Sequence, residues 1–356
     1  MPTEAGSLSA TLAMHPLAAL RILRMALGTV LALVFSQVII WPLSFVTPVL
    51  SMFILALPLP APGFKKGLTF VIAFLAPLIG AMALLPFLQH ARWVGILLVA
   101  LALYYSFYYT AKGGSAIMGA FMTVGLTLTV TLGSVNPEAL NMLIESLAKS
   151  VVFAIAFVWL AYAILPEPSQ DPVEPTKQPA AQAKPVLAEA RRDAFRSLVI
   201  VFPVVLVFLF MCASSSYTVV MIKVAAMGQQ ASSDHSRKMG LSLLESTIWG
   251  GIGAIVAWYL MSVWPSLILY TLLIGLAGLL YGRGIFMGTA VHPKFSMWSY
   301  AFLTMMVILA PAVTDSADSA GAAFWSRLIL FMLIAVYGTV VVAVFDSFWP
   351  KRKLDG

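Results

Sequence analysis

Residues 68–88 read LTFVIAFLAPLIGAMALLPFL, an apolar run without a charged side chain that directly follows Lys65-Lys66-Gly67. A helix that crosses the hydrocarbon core of a bilayer, roughly 30 Å thick, needs about 20 residues of this kind. The stretch meets that length, and lysines at its edge are typical of the end of a membrane helix. It therefore predicts a transmembrane helix.

Segments of this kind fill most of the 356-residue chain, in which 61% of the residues are hydrophobic and only 10% are charged. A soluble domain normally contains about a quarter charged residues, so this composition excludes a water-soluble globule. The same length criterion predicts twelve transmembrane helices, at residues 20–40, 43–59, 68–88, 93–110, 114–133, 143–165, 196–213, 215–228, 240–262, 265–281, 296–312 and 324–346. The second and eighth are short, and we predict that Pro48 and Pro58 interrupt the second.

The net charge of +7 comes from basic residues that flank the apolar segments. Cytoplasmic loops of membrane proteins collect Lys and Arg, and an N-terminus inside the cell puts most of the 21 basic residues on the cytoplasmic side. The prediction is a multi-pass protein of a bacterial inner membrane with both termini in the cytoplasm. The positions of the positive charges therefore predict that the chain contacts the lipid bilayer and does not bind a nucleic acid.

A change of composition divides the chain in two. Residues 167–185 read EPSQDPVEPTKQPAAQAKP, which is too polar and too rich in proline to bury a core of its own. We predict a flexible cytoplasmic linker at residues 166–190. It separates a first six-helix half at residues 1–165 from a second at residues 191–356.

The two halves share short motifs at a roughly constant offset. Gly67-Leu-Thr-Phe corresponds to Gly240-Leu-Ser-Leu, and Lys149 at the start of the sixth helix corresponds to Arg327 at the start of the twelfth. Because six is an even number, both halves have the same orientation in the membrane. We therefore predict an all-α fold of two parallel six-helix repeats related by a pseudo-twofold axis along the membrane normal. The alternative is that these matches arise by chance.

A known family shows the same arrangement of motifs. The basic pair Arg21-Ile-Leu-Arg24 opens the first helix, the second helix ends in the basic turn Pro60-Ala-Pro-Gly-Phe-Lys-Lys66, and the third helix follows Gly67 and contains Gly80. Over essentially its whole length the chain resembles the fusaric acid resistance protein-like superfamily, which includes aromatic acid exporters, and within it a compact bacterial inner-membrane branch without a functional name. The resemblance implies efflux of small organic anions such as aromatic carboxylic acids. It also implies a periplasmic adaptor of the membrane fusion type and an outer-membrane channel as partners.

Two ionisable residues lie deep in predicted helices, where a charge costs roughly 2.5 to 3.5 kcal/mol. Lys223 lies about 13 Å from one membrane surface and Glu245 about 10 Å from the other, so their heights differ by about 7 Å. We interpret them as a pair in which Lys223 binds the substrate carboxylate and Glu245 exchanges protons. The alternative is a permanent salt bridge between neighbouring helices.

Lys149 and Arg327 form a second candidate site. Two cations at equivalent ends of the two halves would attract anions if they lay near a common axis, and we predict both as substrate-binding residues. Each also has a structural interpretation. Glu145 precedes Lys149 by one helical turn in the favoured orientation for an ion pair. Arg327 can extend toward Asp315 or Asp318 at the membrane surface.

The short second and eighth helices occupy matching positions in the two halves. In membrane transporters, interrupted or short spans in corresponding positions often mark the binding site, because their free backbone groups face a cavity or ligand. The eighth helix also carries Lys223 at its centre. These two helices are therefore the predicted location of a transport site.

Motifs of the common enzyme classes are absent from the sequence. There is no G-x-x-x-x-G-K-[ST] loop for nucleotide phosphates, and the four histidines form no H-E-x-x-H motif. Cys212 is the only cysteine, which excludes a disulfide framework and a cysteine-rich zinc site. We predict that the chain is not an enzyme and has neither a metal site nor a cofactor.

The predicted function is proton-coupled efflux of small organic anions across the inner membrane. A gated organic-anion channel is the nearest alternative, because the membrane potential already favours export of an anion by about 2.3 kcal/mol per charge per 100 mV. A third alternative is a non-transporting membrane scaffold that docks an envelope complex.

Overall fold

A computed structural model gives the fold. It describes residues 16–39, 41–57, 60–133, 137–167, 187–210, 218–233, 239–287, 290–291, 294–314 and 317–349. Most of the predicted linker therefore lies outside the described residues, as do Asp315, Lys351 and Pro58.

Helices account for nearly all of the described chain. Those of the first half are α1 (Pro16–Ile39), α2 (Val46–Leu55), α3 (Phe64–Met82), α4 (Leu85–His90), α5 (Arg92–Ala111), α6 (Ala116–Gly133) and α7 (Pro137–Ile164). Those of the second half are α8 (Leu187–Phe210), α9 (Thr218–Ser233), α10 (Met239–Val263), α11 (Leu267–Ile285), α12 (Phe295–Thr314) and α13 (Ala317–Phe348). Between α11 and α12, β1 (Phe286–Met287) pairs with β2 (Ala290–Val291) in antiparallel register.

Eight helical segments of the described chain are long and apolar enough to cross a membrane. They are Leu17–Ile39, Phe64–His90, Arg92–Ala111, Leu140–Ile164, Ala188–Phe210, Leu241–Val263, Leu267–Ile285 and Phe324–Phe348. The chain is therefore an all-helical, multi-pass membrane protein. The remaining predicted spans fall on α2, α6, α9 and α12, of which α2 is only 10 residues long and α9 only 16 residues long.

Two of the differences from the predicted helix boundaries have a local physical reason. The third predicted helix is two helices, because Pro86 in the first turn of α4 lacks an amide hydrogen and starts a new helix after a turn at residues 83 and 84. Helix α8 begins at Leu187, within the predicted linker at residues 166–190, with Glu189 in its first turn. An acidic side chain there is favourable because it faces the positive end of the helix dipole.

Pro48 does not interrupt α2, contrary to the prediction. It lies in the first turn of α2, where the amide that proline lacks has no partner within the helix. The chain enters this helix through a turn in which Leu43 has a φ of 58°. Helix α2 is therefore a short helix with a defined start.

The same helix pairs pack together in both halves. In the first half α1 packs on α2 and α7, α2 on α7, α3 on α6 and α7, and α6 on α5 and α7. In the second half α8 packs on α9 and α13, α9 on α13, α10 on α12 and α13, and α12 on α11 and α13. Across the boundary between the halves, α1 packs on α11 and α5 packs on α8.

Candidate functional site

The two short helices α2 and α9 lie at the centre of the bundle. Every residue from 220 to 232 on α9 is buried, and on α2 every residue except Phe53 is buried. A helix that is buried on all sides has no face for lipid or water, so its polar residues must find partners inside the protein. Polar side chains on these helices are therefore the first candidates for a functional role.

An apolar cavity of about 60 Å³ lies beside both central helices. Residues of α2, α3, α6, α7, α9 and α12 form its wall, and Ile222 and Ala226 contribute from α9. Several of the lining side chains are aromatic: Phe45, Phe53, Phe74, Phe121 and Tyr300. Phe53 and Tyr300 are in edge-to-face contact with ring centroids 5.6 Å apart. The wall suits a flat apolar group.

Lys223 follows the lining residue Ile222 on α9 but does not itself line the cavity. It is 2% exposed, and its Nζ donates a hydrogen bond of 2.7 Å to Oγ1 of Thr304 on α12. The Phe331 ring of α13 lies 6.0 Å from the amine. Within the described part of the chain, Lys223 has no carboxylate within ion-pair distance. A buried amine that is held only by a hydroxyl and a ring can accept a further, anionic partner.

Glu245 does not pair with Lys223, so that part of the prediction is wrong. Its Oε2 lies 3.1 Å from Nζ of Lys294, and the Glu245 side chain is 43% exposed. The buried face of α10 at this level consists of Leu243, Ser246 and Thr247. The prediction compared only the depths of the two residues, and Glu245 projects from another side of α10.

Lys149 forms the ion pair that its spacing from Glu145 predicted. Nζ of Lys149 lies 2.6 Å from Oε1 of Glu145, and the two side chains are 50% and 66% exposed. Arg327 is half-buried on α13. Neither Lys149 nor Arg327 lines the cavity. Lys223 and Glu245 do not line it either, but Lys223 is adjacent in sequence to the lining residue Ile222.

A buried polar network joins the two halves on one side of α9, and the sequence analysis did not identify it. Nε2 of Gln229 donates to the carbonyl of Gly119 over 2.8 Å and also to Oγ1 of Thr123. Oγ1 of Thr110 donates to Oε1 of Gln229 over 3.0 Å, and Ser106 shares a hydrogen bond of 2.8 Å with Thr123. A Cβ at Gly119 would lie 1.8 Å from Oγ1 of Thr110. Only glycine therefore permits this contact.

An ionic cluster at one end of the second half is the other feature that the sequence analysis missed. We call it the second-half cluster; its members are Arg192, Asp193, Arg196 and Asp346. Asp193 is completely buried and lies 3.2 Å from Arg192 and 3.6 Å from Arg196. Sequence reasoning counted both arginines only as indicators of topology. The spacing of Asp193 and Arg196, one helical turn apart, was the available signal.

Metal-binding side chains are dispersed in the described residues. There, no group of three or more His, Cys, Asp or Glu side chains is close enough to hold a metal ion. His90 bonds the carbonyl of Pro86 on its own helix, while His15, His235 and His292 lie outside the described residues.

Comparison with known proteins gives one family match. Residues 21–161 match the model of a family described as "Protein of unknown function (DUF2955)". No curated protein and no solved structure matches the chain. The match covers less than half of the chain; it includes α2 but not α9, so Lys223 lies outside it. The resemblance to the fusaric acid resistance protein-like superfamily stays a prediction, and the similarity found is to the first half of this chain alone.

Proposed function

We propose that the protein exports small organic anions, such as aromatic carboxylic acids, across the bacterial inner membrane. The observation that carries this proposal is the buried Lys223, which has no carboxylate partner among the described residues and follows the lining residue Ile222 of an apolar, aromatic-rich cavity. The apolar wall would bury the body of the ligand, and the amine would attract its carboxylate.

The cavity is smaller than the pockets that usually hold ligands. Pockets that hold drug-sized ligands measure about 300 to 1,000 Å³, whereas this cavity measures about 60 Å³. A ring-sized acid would therefore enter only after α2 or α9 moves away from α12. Lys223 belongs to α9 and Thr304 to α12, so a movement of α9 would also part the amine from its hydroxyl partner. We propose that this separation exposes the amine to the substrate.

We also propose that the two halves of the fold are related by symmetry. The recurrence of the same helix pairs in both halves supports two parallel six-helix repeats about an axis along the membrane normal. In this arrangement the short helices α2, α6, α9 and α12 complete twelve passes, and both termini lie in the cytoplasm as the basic residues favour. A periplasmic adaptor of the membrane fusion type and an outer-membrane channel would carry the anion onward.

Flux from proteoliposomes tests the proposal against its alternatives. The purified chain is reconstituted in vesicles that contain p-hydroxybenzoate, and efflux is followed after a pH gradient or a voltage is imposed. A proton-coupled transporter accelerates efflux when the pH gradient is applied. A channel responds to voltage alone, and a scaffold produces no flux above that of empty vesicles. Either of the last two results would contradict the proposal.

Filling the cavity should reduce this flux. Ala226→Leu adds three carbon atoms to the wall of the cavity, and overpacking costs about 1 to 3 kcal/mol, which corresponds to roughly five- to 150-fold in substrate affinity. We expect the concentration of p-hydroxybenzoate for half-maximal efflux to rise by at least about fivefold. Ala76→Leu, at an exposed position of α3, is the matched control and should leave it unchanged.

Glu245→Gln tests proton coupling separately. The proton-coupling role of Glu245 stays a prediction, and Lys294 is now the partner that would respond to its protonation. If Glu245 carries the proton, Glu245→Gln should abolish the acceleration of efflux by an imposed pH gradient while flux down a substrate gradient persists. Unchanged acceleration in the variant would remove Glu245 from the mechanism without affecting the site at Lys223.

A further inference from the structure

The start of α1 carries an arginine pair whose charge is only partly compensated. We call this the first-half cluster; its members are Arg21, Arg24 and Glu167. Arg21 binds Glu167 closely, since its Nη2 lies 2.8 Å and its Nε 2.9 Å from Oε1. Arg24 is 3% exposed, and its guanidinium lies over the Tyr162 ring at 4.1 Å.

One terminal nitrogen of the Arg24 guanidinium makes no hydrogen bond. Nε of Arg24 donates to the carbonyl of Leu165 over 2.9 Å. Nη1 approaches Oε2 of Glu167 only to 4.0 Å, beyond hydrogen-bond distance. Nη2 is buried and has no hydrogen-bond partner. A buried guanidinium edge without acceptors is costly, because the lost hydration of its donors is not replaced.

Arg192 in the second-half cluster shows what a complete set of partners looks like. It too donates from Nε to a carbonyl after the last helix of its half, that of Trp349 over 2.8 Å, and lies over an aromatic ring, that of Phe345. Its Nη1 donates to Asp193 over 3.2 Å, and its Nη2 donates to Asp346. Both terminal nitrogens of Arg192 thus have carboxylate acceptors, which Arg24 lacks.

The two clusters also differ in their balance of positive and negative charges. In the second-half cluster two arginines meet two carboxylates. In the first-half cluster two arginines share the single carboxylate of Glu167. Among the described residues, the first-half cluster therefore carries one positive charge that no carboxylate compensates, and an anion would neutralise it.

The first-half cluster is open to the outside at one end of the bundle. The side chains of Arg21 and Glu167 are 19% and 25% exposed, and Arg24 lies beneath them. Lys65 and Lys66 are exposed. They lie near this end of the bundle, because the carbonyl of nearby Pro62 accepts a hydrogen bond from Trp159, which precedes Tyr162 by one helical turn. These lysines add to the positive electrostatic potential at the exposed side of the first-half cluster.

We propose that Arg21 and Arg24 bind a phosphate group, supplied by the headgroup of an anionic phospholipid. The two terminal nitrogens of Arg24 form the planar fork that binds two phosphate oxygens at once. The location, between helix ends at the edge of the apolar span, is typical of sites for phospholipid headgroups. Free phosphate has the same chemistry, and the experiment distinguishes the two sources.

Thermal unfolding of the purified full-length chain in detergent tests the site. The midpoint is measured during titration with phosphatidylglycerol, with phosphatidylcholine, and with inorganic phosphate. A ligand that binds only the folded state raises the midpoint. We expect phosphatidylglycerol to raise it by about 3 °C or more, with no rise from phosphatidylcholine. A rise with inorganic phosphate alone would support the phosphate site and assign its ligand to the soluble source.

Variants of the first-half cluster should change this titration in opposite directions. Arg24→Met should weaken the apparent affinity at least about tenfold, because it removes the fork. Glu167→Gln should strengthen it, because it removes the carboxylate that competes for both arginines. Arg283→Met, at an exposed arginine in the last turn of α11, is the control and should change the affinity less than about twofold.

Three results would overturn the proposal. One is a wild-type midpoint that no phosphate-containing anion raises above the effect of phosphatidylcholine. Another is an Arg24→Met variant that responds as the wild type does. If Arg24→Met does not fold, the test rests on Glu167→Gln. In that case the third contradicting result is an affinity for phosphatidylglycerol that does not increase in Glu167→Gln.

Discussion

Replacing Lys223 by methionine is expected to reduce p-hydroxybenzoate efflux by roughly ten- to a hundredfold without destabilising the protein. A hydrogen bond to a charged group contributes about 1.5 to 3 kcal/mol, which corresponds to that range of affinity. Methionine has a similar length and is apolar, so it fills the space of the lysine without a buried amine. Thr304 stays satisfied because its hydroxyl also donates to the carbonyl of Tyr300 over 2.7 Å. The measurement is initial efflux from proteoliposomes with equal protein content.

The thermal midpoint of the variant separates function from stability. Replacing a buried ionic group by an apolar residue of similar size is often neutral or stabilising, so the midpoint of Lys223→Met should equal or exceed that of the wild type. Lys149→Met is the matched control, because it removes an exposed lysine that is paired with Glu145, and its efflux should stay at the wild-type rate. Wild-type flux in Lys223→Met would refute the assigned anion site.

Asp193→Asn should be the most destabilising of the substitutions considered for this chain. The completely buried Asp193 carboxylate compensates Arg192 and Arg196, and its loss leaves Asp346 as the only carboxylate of the second-half cluster. Breaking a buried ion pair by removing one partner costs about 3 to 5 kcal/mol. We expect the free energy of unfolding in detergent micelles to fall by about that amount, measured by denaturant titration.

The control for this prediction is an exposed ion pair. Glu145→Gln breaks the contact with Lys149 on the surface of α7, where both charges remain hydrated. We expect its unfolding transition to coincide with that of the wild type. Equal transitions for Asp193→Asn and the wild type would mean that the second-half cluster contributes specificity of packing and little stability.

The pattern of apolar residues predicted the helical framework well. Each of the twelve predicted segments contains a helix, and the short helices α2 and α9 occur where the sequence indicated. Helix formation and membrane insertion depend on residues that are neighbours in the chain, so a linear window contains the necessary information. The differences are local: Pro86 divides one predicted helix, and α7, α8 and α13 begin at Pro137, Leu187 and Ala317, before their predicted starts.

Composition and residue order thus determined that the chain is helical, crosses a membrane several times and has a lysine deep in its second half. Only the tertiary structure decided the partners of the charged residues. It paired Glu245 with Lys294 instead of Lys223, brought Asp346 to arginines on α8, and enclosed the cavity between side chains of six helices. These contacts depend on the rotation of each helix about its own axis and on residues far apart in the chain, 49 positions for Glu245 and Lys294 and 154 for Arg192 and Asp346. Both are set by packing, about which a single helical segment carries little information.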